Sequence, residues 1–96
     1  MRTTYLVCYD IADEKRLRQV FKVCKNHGEH LQFSVFECDL NPSELALFQR
    51  ELTAVILQSA DQVLFVSLGP SEGRGDRVIV ALGTPYTKLD SPCYVV

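Results

Sequence analysis

The feature that most limits how this chain can fold is an uncharged hydrophobic run at residues 3–9, which ends at an acid, Asp10. The run is rich in β-branched and aromatic residues, so it predicts a strand that is covered on both faces. Asp10 then lies where a buried strand reaches the surface. Its carboxylate is either a turn residue that hydrogen-bonds backbone amides ahead of the next helix or a ligand in a site.

An amphipathic helix is predicted directly after this strand. Asp13 is a candidate N-cap, and Gly28 is predicted to end the helix region in the left-handed conformation. Apolar residues recur at helical spacing along one face: Leu17, Val20, Phe21 and Cys24. The opposite face, called the basic face below, carries Lys15, Arg18, Lys22 and Lys25, and Arg16 lies in the same helix. Such a face either keeps a helix soluble or contacts a phosphate backbone.

The rest of the chain predicts further strands and a second helix. Residues 30–40 alternate in part, which predicts a strand that bends or bulges around residues 34–36 and returns as a second short strand. Asn41 begins a capping box with Glu44, and an apolar stripe carries this helix to about Gln58. Strands are predicted at residues 62–68, where both faces are apolar as in a central strand, at 77–82, and in the apolar tail at 93–96.

This order of elements predicts an α+β fold, a ferredoxin-like βαββαβ two-layer sandwich with an extra C-terminal strand. Its antiparallel sheet would carry both helices on one face. We expect residues 1–82 to form this domain and residues 83–96 to form an extended tail that packs on a dimer mate or a partner. The other face of the sheet would be bare, and a homodimer is the simplest way to cover it.

Composition limits the classes of function and compartment. The net charge of -2 and pI of about 5.6 give no overall attraction to nucleic acid, so any such contact must be local. His27 and His30 are predicted to be surface residues rather than a metal pair. The N-terminus lacks a signal-peptide pattern and no apolar run is long enough to span a bilayer, so a cytoplasmic protein without membrane contact is predicted. The cysteines form no CxxC pair and are predicted to be small buried hydrophobes: Cys8, Cys24, Cys38 and Cys93.

Two motifs stand out in combination. Tyr9-Asp10-Ile11 ends the first strand, and Gln-x-Ser-Val-Phe-Glu at residues 32–37 follows the basic helix and Gly28. In these motifs, in its length and in its element order, the chain resembles the Cas2 family of small CRISPR-associated adaptation proteins.

The resemblance implies a ferredoxin-like homodimer that works with the CRISPR adaptation integrase in spacer acquisition. It also implies Mg²⁺-dependent endonuclease activity on single-stranded RNA or on duplex DNA. Asp10 would be the catalytic residue and the metal ligand, and the Asp10 of each protomer would bind Mg²⁺ across the dimer axis. The side chains expected to support this site or to bind nucleic acid are Tyr9, Lys15, Arg16, Arg18, Lys22 and Phe36.

One departure from the family pattern keeps a second interpretation open. Many members have a basic residue just before the Gln-x-Ser-Val-Phe segment, where this chain has His30-Leu31. The alternative is a purely structural DNA-binding scaffold without hydrolytic activity, in which Asp10 has no needed catalytic role. Outside the family, a small-molecule-sensing ferredoxin-like regulator is the third alternative.

Overall fold

The computed structural model of this chain describes residues 1–72 and 82–83. Over these residues the elements follow the order strand, helix, strand, strand, helix, strand. Their bounds are β1 (Thr3–Asp10), α1 (Glu14–Lys25), β2 (Glu29–Gln32), β3 (Val35–Leu40), α2 (Pro42–Val55) and β4 (Gln62–Pro70). The strands predicted at residues 77–82 and 93–96 and the tail predicted at 83–96 fall outside the described residues, apart from positions 82 and 83.

The four strands form one sheet in the order β2-β3-β1-β4, and every neighbouring pair is antiparallel. Val7 in the middle of β1 lies opposite Phe36 of β3 and Phe65 of β4. This order confirms the ferredoxin-like fold class. Among the described strands β4 pairs with β1 alone, and the prediction that it is a central strand depends on residues that the structure does not describe.

Both helices pack on the same face of the sheet, as predicted. Phe36 lies at the centre of this layer, with its ring centroid 5.5 Å from that of Phe21 in α1. Phe48 of α2 makes an edge contact with Phe65 of β4 at 5.3 Å. The buried hydrophobic core consists of Val7, Tyr9, Val20, Phe21, Cys24, Phe36, Cys38, Leu40, Phe48 and Leu52.

The predicted helix starts are confirmed. The Asp13 carboxylate accepts a hydrogen bond from the Arg16 backbone amide at 3.0 Å. Asn41 and Glu44 form a reciprocal capping box, in which each side chain accepts from the backbone amide of the other residue. Helix α2 ends at Val55, three residues before the predicted end at Gln58.

Gly28 is required for close packing and not for a left-handed turn. Its φ is not positive, which corrects the prediction made for it. A Cβ at this position would overlap Cys38 Sγ and would lie 2.6 Å from the Glu37 carbonyl oxygen. The glycine therefore lets the chain that leaves α1 pass directly against β3.

The segment predicted to bend around residues 34–36 is a hairpin. A two-residue turn, Phe33–Ser34, joins β2 to β3, and the pairing register shifts between His30 and Gln32. The irregularity therefore lies on the β2 side of the turn rather than at the start of β3. Phe33 has a positive φ of 30°, at a place where tight hairpin turns ordinarily use Gly or Asn.

The prediction that both histidines are surface residues is wrong. His30 is buried, with its ring 5.1 Å from Phe21 and 4.9 Å from Phe36 between centroids. The ring of His27 stacks on Phe48 at 4.4 Å, and its Nε2 lies 2.7 Å from Glu51 Oε1. The two side chains face different parts of the interior, because each one completes an aromatic contact.

Candidate nucleic-acid and metal site

Asp10 lies on the face of β1 that points away from both helices. Side chains alternate along a strand, so Asp10 shares this face with Leu6 and Cys8, while Val7 and Tyr9 face the core. The carboxylate is exposed, and it makes no hydrogen bond or ion pair with any of residues 1–72. Asp10 is therefore not the turn residue that one interpretation of the sequence predicted.

The same face is largely apolar, and neither α1 nor α2, the two helices of the described residues, lies over it. Leu6 lies opposite Val66, and Cys8 lies opposite Leu64, on the neighbouring strand. Leu64 and Val66 are 49% and 44% exposed, which is high for strand residues of this size. We call this surface the open face and define it by its apolar residues, Leu6, Cys8, Val35, Leu64 and Val66. Asp10 lies at one end of it.

One chain alone supplies few metal ligands at this position. Among the described residues, no three His, Cys, Asp or Glu side chains are grouped so that they could hold an ion. Mg²⁺ binds through one or two carboxylates and keeps several waters. The free Asp10 carboxylate fits such a ligand, provided that water, nucleic acid or a second protomer completes the shell.

Arg16 is bound to another part of the chain. Its Nε and Nη2 donate to the two carboxylate oxygens of Asp61 at 2.8 and 3.2 Å. Asp61 also accepts backbone hydrogen bonds from Ala12 at 2.9 Å and from Leu57 at 2.8 Å. Arg16 was predicted to bind nucleic acid or support the site. In this structure it joins the connection that follows Asp10 to the connection that precedes β4.

These hydrogen bonds control the ionisation of Asp61. The Arg16 side chain, followed by the Leu57 and Ala12 amides, holds the pKa of Asp61 well below its usual range. The carboxylate therefore stays charged at neutral pH and in mild acid. Sequence reasoning did not single out Asp61, since a lone acid before a strand carries no signal for a partner 45 residues away.

Tyr9 and Phe36 are core residues in this structure. Their rings stack with centroids 6.3 Å apart, and both side chains are buried. Burial raises the pKa of the Tyr9 phenol, with a further contribution from Cys24, so the hydroxyl stays protonated. Direct contact of either ring with nucleic acid would require the core to open. In this structure both side chains therefore pack in the core, on the face of the sheet opposite the Asp10 side chain.

The described cysteines include two that are fully buried, as predicted. Burial raises the pKa of the Cys38 thiol to about 12, with a smaller contribution from Glu37, and it raises that of Cys24 as well. Both thiols are therefore protonated and unreactive near neutral pH. Cys8 is only partly buried because it lies on the open face, and Cys93 lies outside the described residues.

Three cations of the basic face are exposed on α1: Lys15, Arg18 and Lys22. Arg18 lies 3.9 Å from Glu14, a long ion pair at the surface that leaves the guanidinium accessible. Because α1 begins four residues after Asp10, its first turns lie at the same end of the sheet as Asp10. The structure thus leaves these three cations accessible, whereas Arg16 is paired with Asp61.

His30, which precedes the Gln-x-Ser-Val-Phe segment, is not available to a phosphate. Its Nε2 lies 2.8 Å from the Phe33 carbonyl oxygen, to which it donates, and the ring is buried. The hairpin that follows the basic helix therefore presents Gln32 and Phe33 to solvent instead of a cation.

Comparison with known proteins decides the family. The model of the CRISPR-associated protein Cas2 family matches residues 2–73, which is most of the chain. This chain belongs to the Cas2 family. Neither α1 nor α2, the helices of the described region, is long and apolar enough to cross a membrane.

Several Cas2 proteins align with most of the chain. It is 38% identical over 92 residues to CRISPR-associated endoribonuclease Cas2 1 of Rhodospirillum rubrum, an alignment that covers 96% of this chain and 89% of that protein. It is 41% identical over 83 residues to CRISPR-associated endoribonuclease Cas2 2 of Thermodesulfovibrio yellowstonii, an alignment that covers 81% of this chain and 91% of that protein. The relative in Halalkalibacterium halodurans, 38% identical over 69 residues and covering 67% and 72%, is named an endonuclease.

Solved structures agree with the fold. The crystal structure of Streptococcus pyogenes Cas2 superposes with a TM-score of 0.72 at 36% identity, covering 83% of this chain and 99% of that one. A hypothetical protein from Thermus thermophilus gives a TM-score of 0.74 at 25% identity, covering 91% and 100%.

Proposed function

We propose that this protein is a homodimeric, nucleic-acid-binding component of the CRISPR adaptation machinery in the cytoplasm, with Mg²⁺-dependent endonuclease activity at a pair of Asp10 carboxylates. Membership of the Cas2 family supports the CRISPR role, and relatives named endoribonuclease or endonuclease support the nuclease activity. The expected partners are a second copy of the chain, the adaptation integrase and nucleic acid.

The observation that carries the proposal is the position of Asp10 beside the open face. An apolar sheet face without a helix over it favours association with an identical face across a twofold axis. Because Asp10 lies at one end of that face, such a dimer can bring two Asp10 carboxylates toward each other. Two carboxylates that approach in this way repel, and a cation between them relieves the repulsion.

In the dimer, each Asp10 would hold the metal, and the chain's own residues would position it. Bound Mg²⁺ would supply charge stabilisation at a phosphate group and would activate a water. The Arg16–Asp61 hydrogen bonds fix the backbone that follows Asp10. The contact between the Tyr9 and Phe36 rings packs the core side of β1. The exposed cations of α1 would hold the phosphate backbone, in line with the expected binding of duplex DNA or single-stranded RNA.

A cleavage assay tests the nuclease part of this proposal. Purified protein is incubated with labelled single-stranded RNA and with duplex DNA, in Mg²⁺ and in chelator. We expect cleavage of one substrate class in Mg²⁺ only, and its loss in Asp10→Asn. Glu72→Gln is the matched control, since this acid is also exposed but follows β4, at the opposite end of the sheet. Equal cleavage by the wild type and Asp10→Asn would contradict the role given to Asp10.

A scaffold without hydrolysis is the second candidate. It is favoured by the internal use of several predicted site residues, because Tyr9, Arg16 and Phe36 all serve the fold. In an integration assay with the integrase partner, the scaffold predicts that Asp10→Ala keeps wild-type spacer insertion. A loss of insertion together with a loss of cleavage supports the enzymatic function instead.

A further inference from the structure

Phe33 is the one large aromatic side chain that the described part of the chain exposes, at 71%. It occupies the first position of the two-residue turn between β2 and β3 and has a φ of 30°. A bulky residue is sterically strained at a positive φ, whereas Gly or Asn adopts this conformation readily. An exposed aromatic ring in a strained turn serves neither packing nor turn geometry, and strain of this kind is typical of functional positions.

The turn is held in place from inside the protein. His30 donates to the Phe33 carbonyl oxygen at 2.8 Å, and the His30 ring is fixed between Phe21 and Phe36. The Tyr9 amide donates to the Ser34 carbonyl oxygen at 3.1 Å, which extends the β1–β3 pairing beyond Val35 into the turn. The Phe33 backbone is therefore fixed in advance while its ring remains in solvent.

This position lies at the same end of the sheet as Asp10. The β1–β3 register pairs Cys8 with Val35, and the Tyr9–Ser34 hydrogen bond continues it by one residue. The next positions are Asp10 and Phe33, so the aromatic turn borders the strand end that carries the carboxylate. The first turns of α1, with Lys15 and Arg18, begin at this end as well.

We infer that Phe33 is a stacking platform for an unpaired nucleotide, so that the substrate bound next to Asp10 is single-stranded or locally unpaired rather than fully paired. This inference rests on the proposed nucleic-acid function and adds the strandedness of the substrate. Aromatic rings bind unpaired bases by stacking, whereas the bases of an intact duplex are already stacked on one another. The ring is flanked along the chain by exposed Gln32 and by the polar residue Ser34, so it offers a single aromatic surface on which one base can stack.

The test compares variants at one position. Affinity is measured by fluorescence anisotropy for single-stranded RNA, single-stranded DNA and a blunt DNA duplex. Phe33→Ala and Phe33→Leu should bind single strands about 5-fold to 150-fold more weakly, the range that one stacked base contributes. Phe33→Tyr should bind them like the wild type, and duplex affinity should be the same for all four proteins. The RNA and DNA arms show which single strand is bound. Leu47→Ala is the control, since Leu47 is an exposed apolar residue of α2.

A second measurement separates stacking from a structural role. The chain contains no tryptophan, so Phe33→Trp places the only indole of the protein in the turn. Stacking predicts that a single-stranded oligonucleotide quenches its fluorescence and that a duplex does not. Phe33→Gly relieves the positive φ, and it should therefore fold at least as stably as the wild type while losing single-strand affinity.

Each outcome has a definite meaning. Wild-type binding that Phe33→Ala and Phe33→Leu leave unchanged would overturn this inference and leave the proposed function intact. Absence of any nucleic-acid binding by the wild type would overturn both. If Phe33→Ala keeps its affinity for oligonucleotides but dissociates the dimer or fails to copurify with the integrase, the ring is a protein contact and the inference is wrong.

Discussion

Arg16 Nε lies 2.8 Å from Asp61 Oδ2, and this ion pair joins two connections that meet at the Asp10 end of the sheet. The Asp61 side chain has no solvent exposure, and its other hydrogen bonds come from backbone amides of both connections. Arg16, which the family resemblance implies would support the site or bind nucleic acid, thus holds these two connections together in this structure.

Replacing Asp61 with Asn should lower the free energy of unfolding, with a dependence on pH. The pKa of Asp61 is depressed in the folded protein and is about 4 in the unfolded chain. The ionised carboxylate therefore stabilises the fold fully above about pH 5, and this contribution is lost as the pH falls below about 4. Urea unfolding at several pH values should show a gap between the wild type and Asp61→Asn that shrinks in acid. A gap that does not change with pH would contradict the ion pair.

Gly28→Ala should destabilise the protein by about 1–3 kcal/mol, the usual cost of forcing extra atoms into a packed site. The new Cβ would meet Cys38 Sγ and the Glu37 carbonyl oxygen. Adding Cys38→Ala should recover part of the loss and not all of it, because the carbonyl contact persists. Urea unfolding of the two single variants and the double variant measures this coupling. Strict additivity would show that Gly28 and Cys38 do not touch.

The open face should be the dimer interface. Leu64→Lys combined with Val66→Lys places two charges in its centre, so we expect sedimentation to give the mass of one chain while far-ultraviolet circular dichroism stays unchanged. Leu47→Lys on α2 is the matched control, since Leu47 is 43% exposed on the other side of the molecule. A wild-type protein with the mass of one chain, or a double variant that still dimerises, would contradict the proposed interface.

The exposed cations of α1 should contribute mainly electrostatic affinity for nucleic acid. Replacing Lys15, Arg18 and Lys22 with Ala should weaken duplex DNA binding and flatten the dependence of log affinity on log salt by about 0.9 for each lost phosphate contact. Arg50→Ala, an exposed cation on α2, should leave the slope unchanged. Identical slopes for the triple variant and the wild type would exclude these cations from the interface.

The fold followed from local patterns that the sequence displays. Helical spacing predicted α1, the capping box of Asn41 and Glu44 predicted the start of α2, and the uncharged run at residues 3–9 predicted β1. These signals act within a few residues, so they can be recognised before the tertiary structure is known.

The surroundings of the candidate site depend on contacts between residues that are distant in the sequence. Local sequence patterns do not predict such contacts. Whether the Phe36 side chain faces solvent or the core depends on the register in which β3 pairs with β1, where Phe36 lies opposite Val7. This register cannot be deduced from the residues of β3 alone. Arg16 is paired with an acid 45 residues away, and the reason for Gly28 lies on the neighbouring strand. Phe33 fits the alternation of Leu31 and Val35, so the pattern predicts a strand residue there and not an exposed turn position.

If two protomers share one cation between their Asp10 carboxylates, as we propose, the stoichiometry of metal binding will show it directly. Mn²⁺ takes the same oxygen ligands as Mg²⁺ and can be counted by electron paramagnetic resonance. One ion should bind for every two chains, and this binding should be lost both in Asp10→Asn and in the Leu64→Lys, Val66→Lys protein. An ion that stays bound in Asp10→Asn, or one ion for every chain in the monomeric variant, would contradict it.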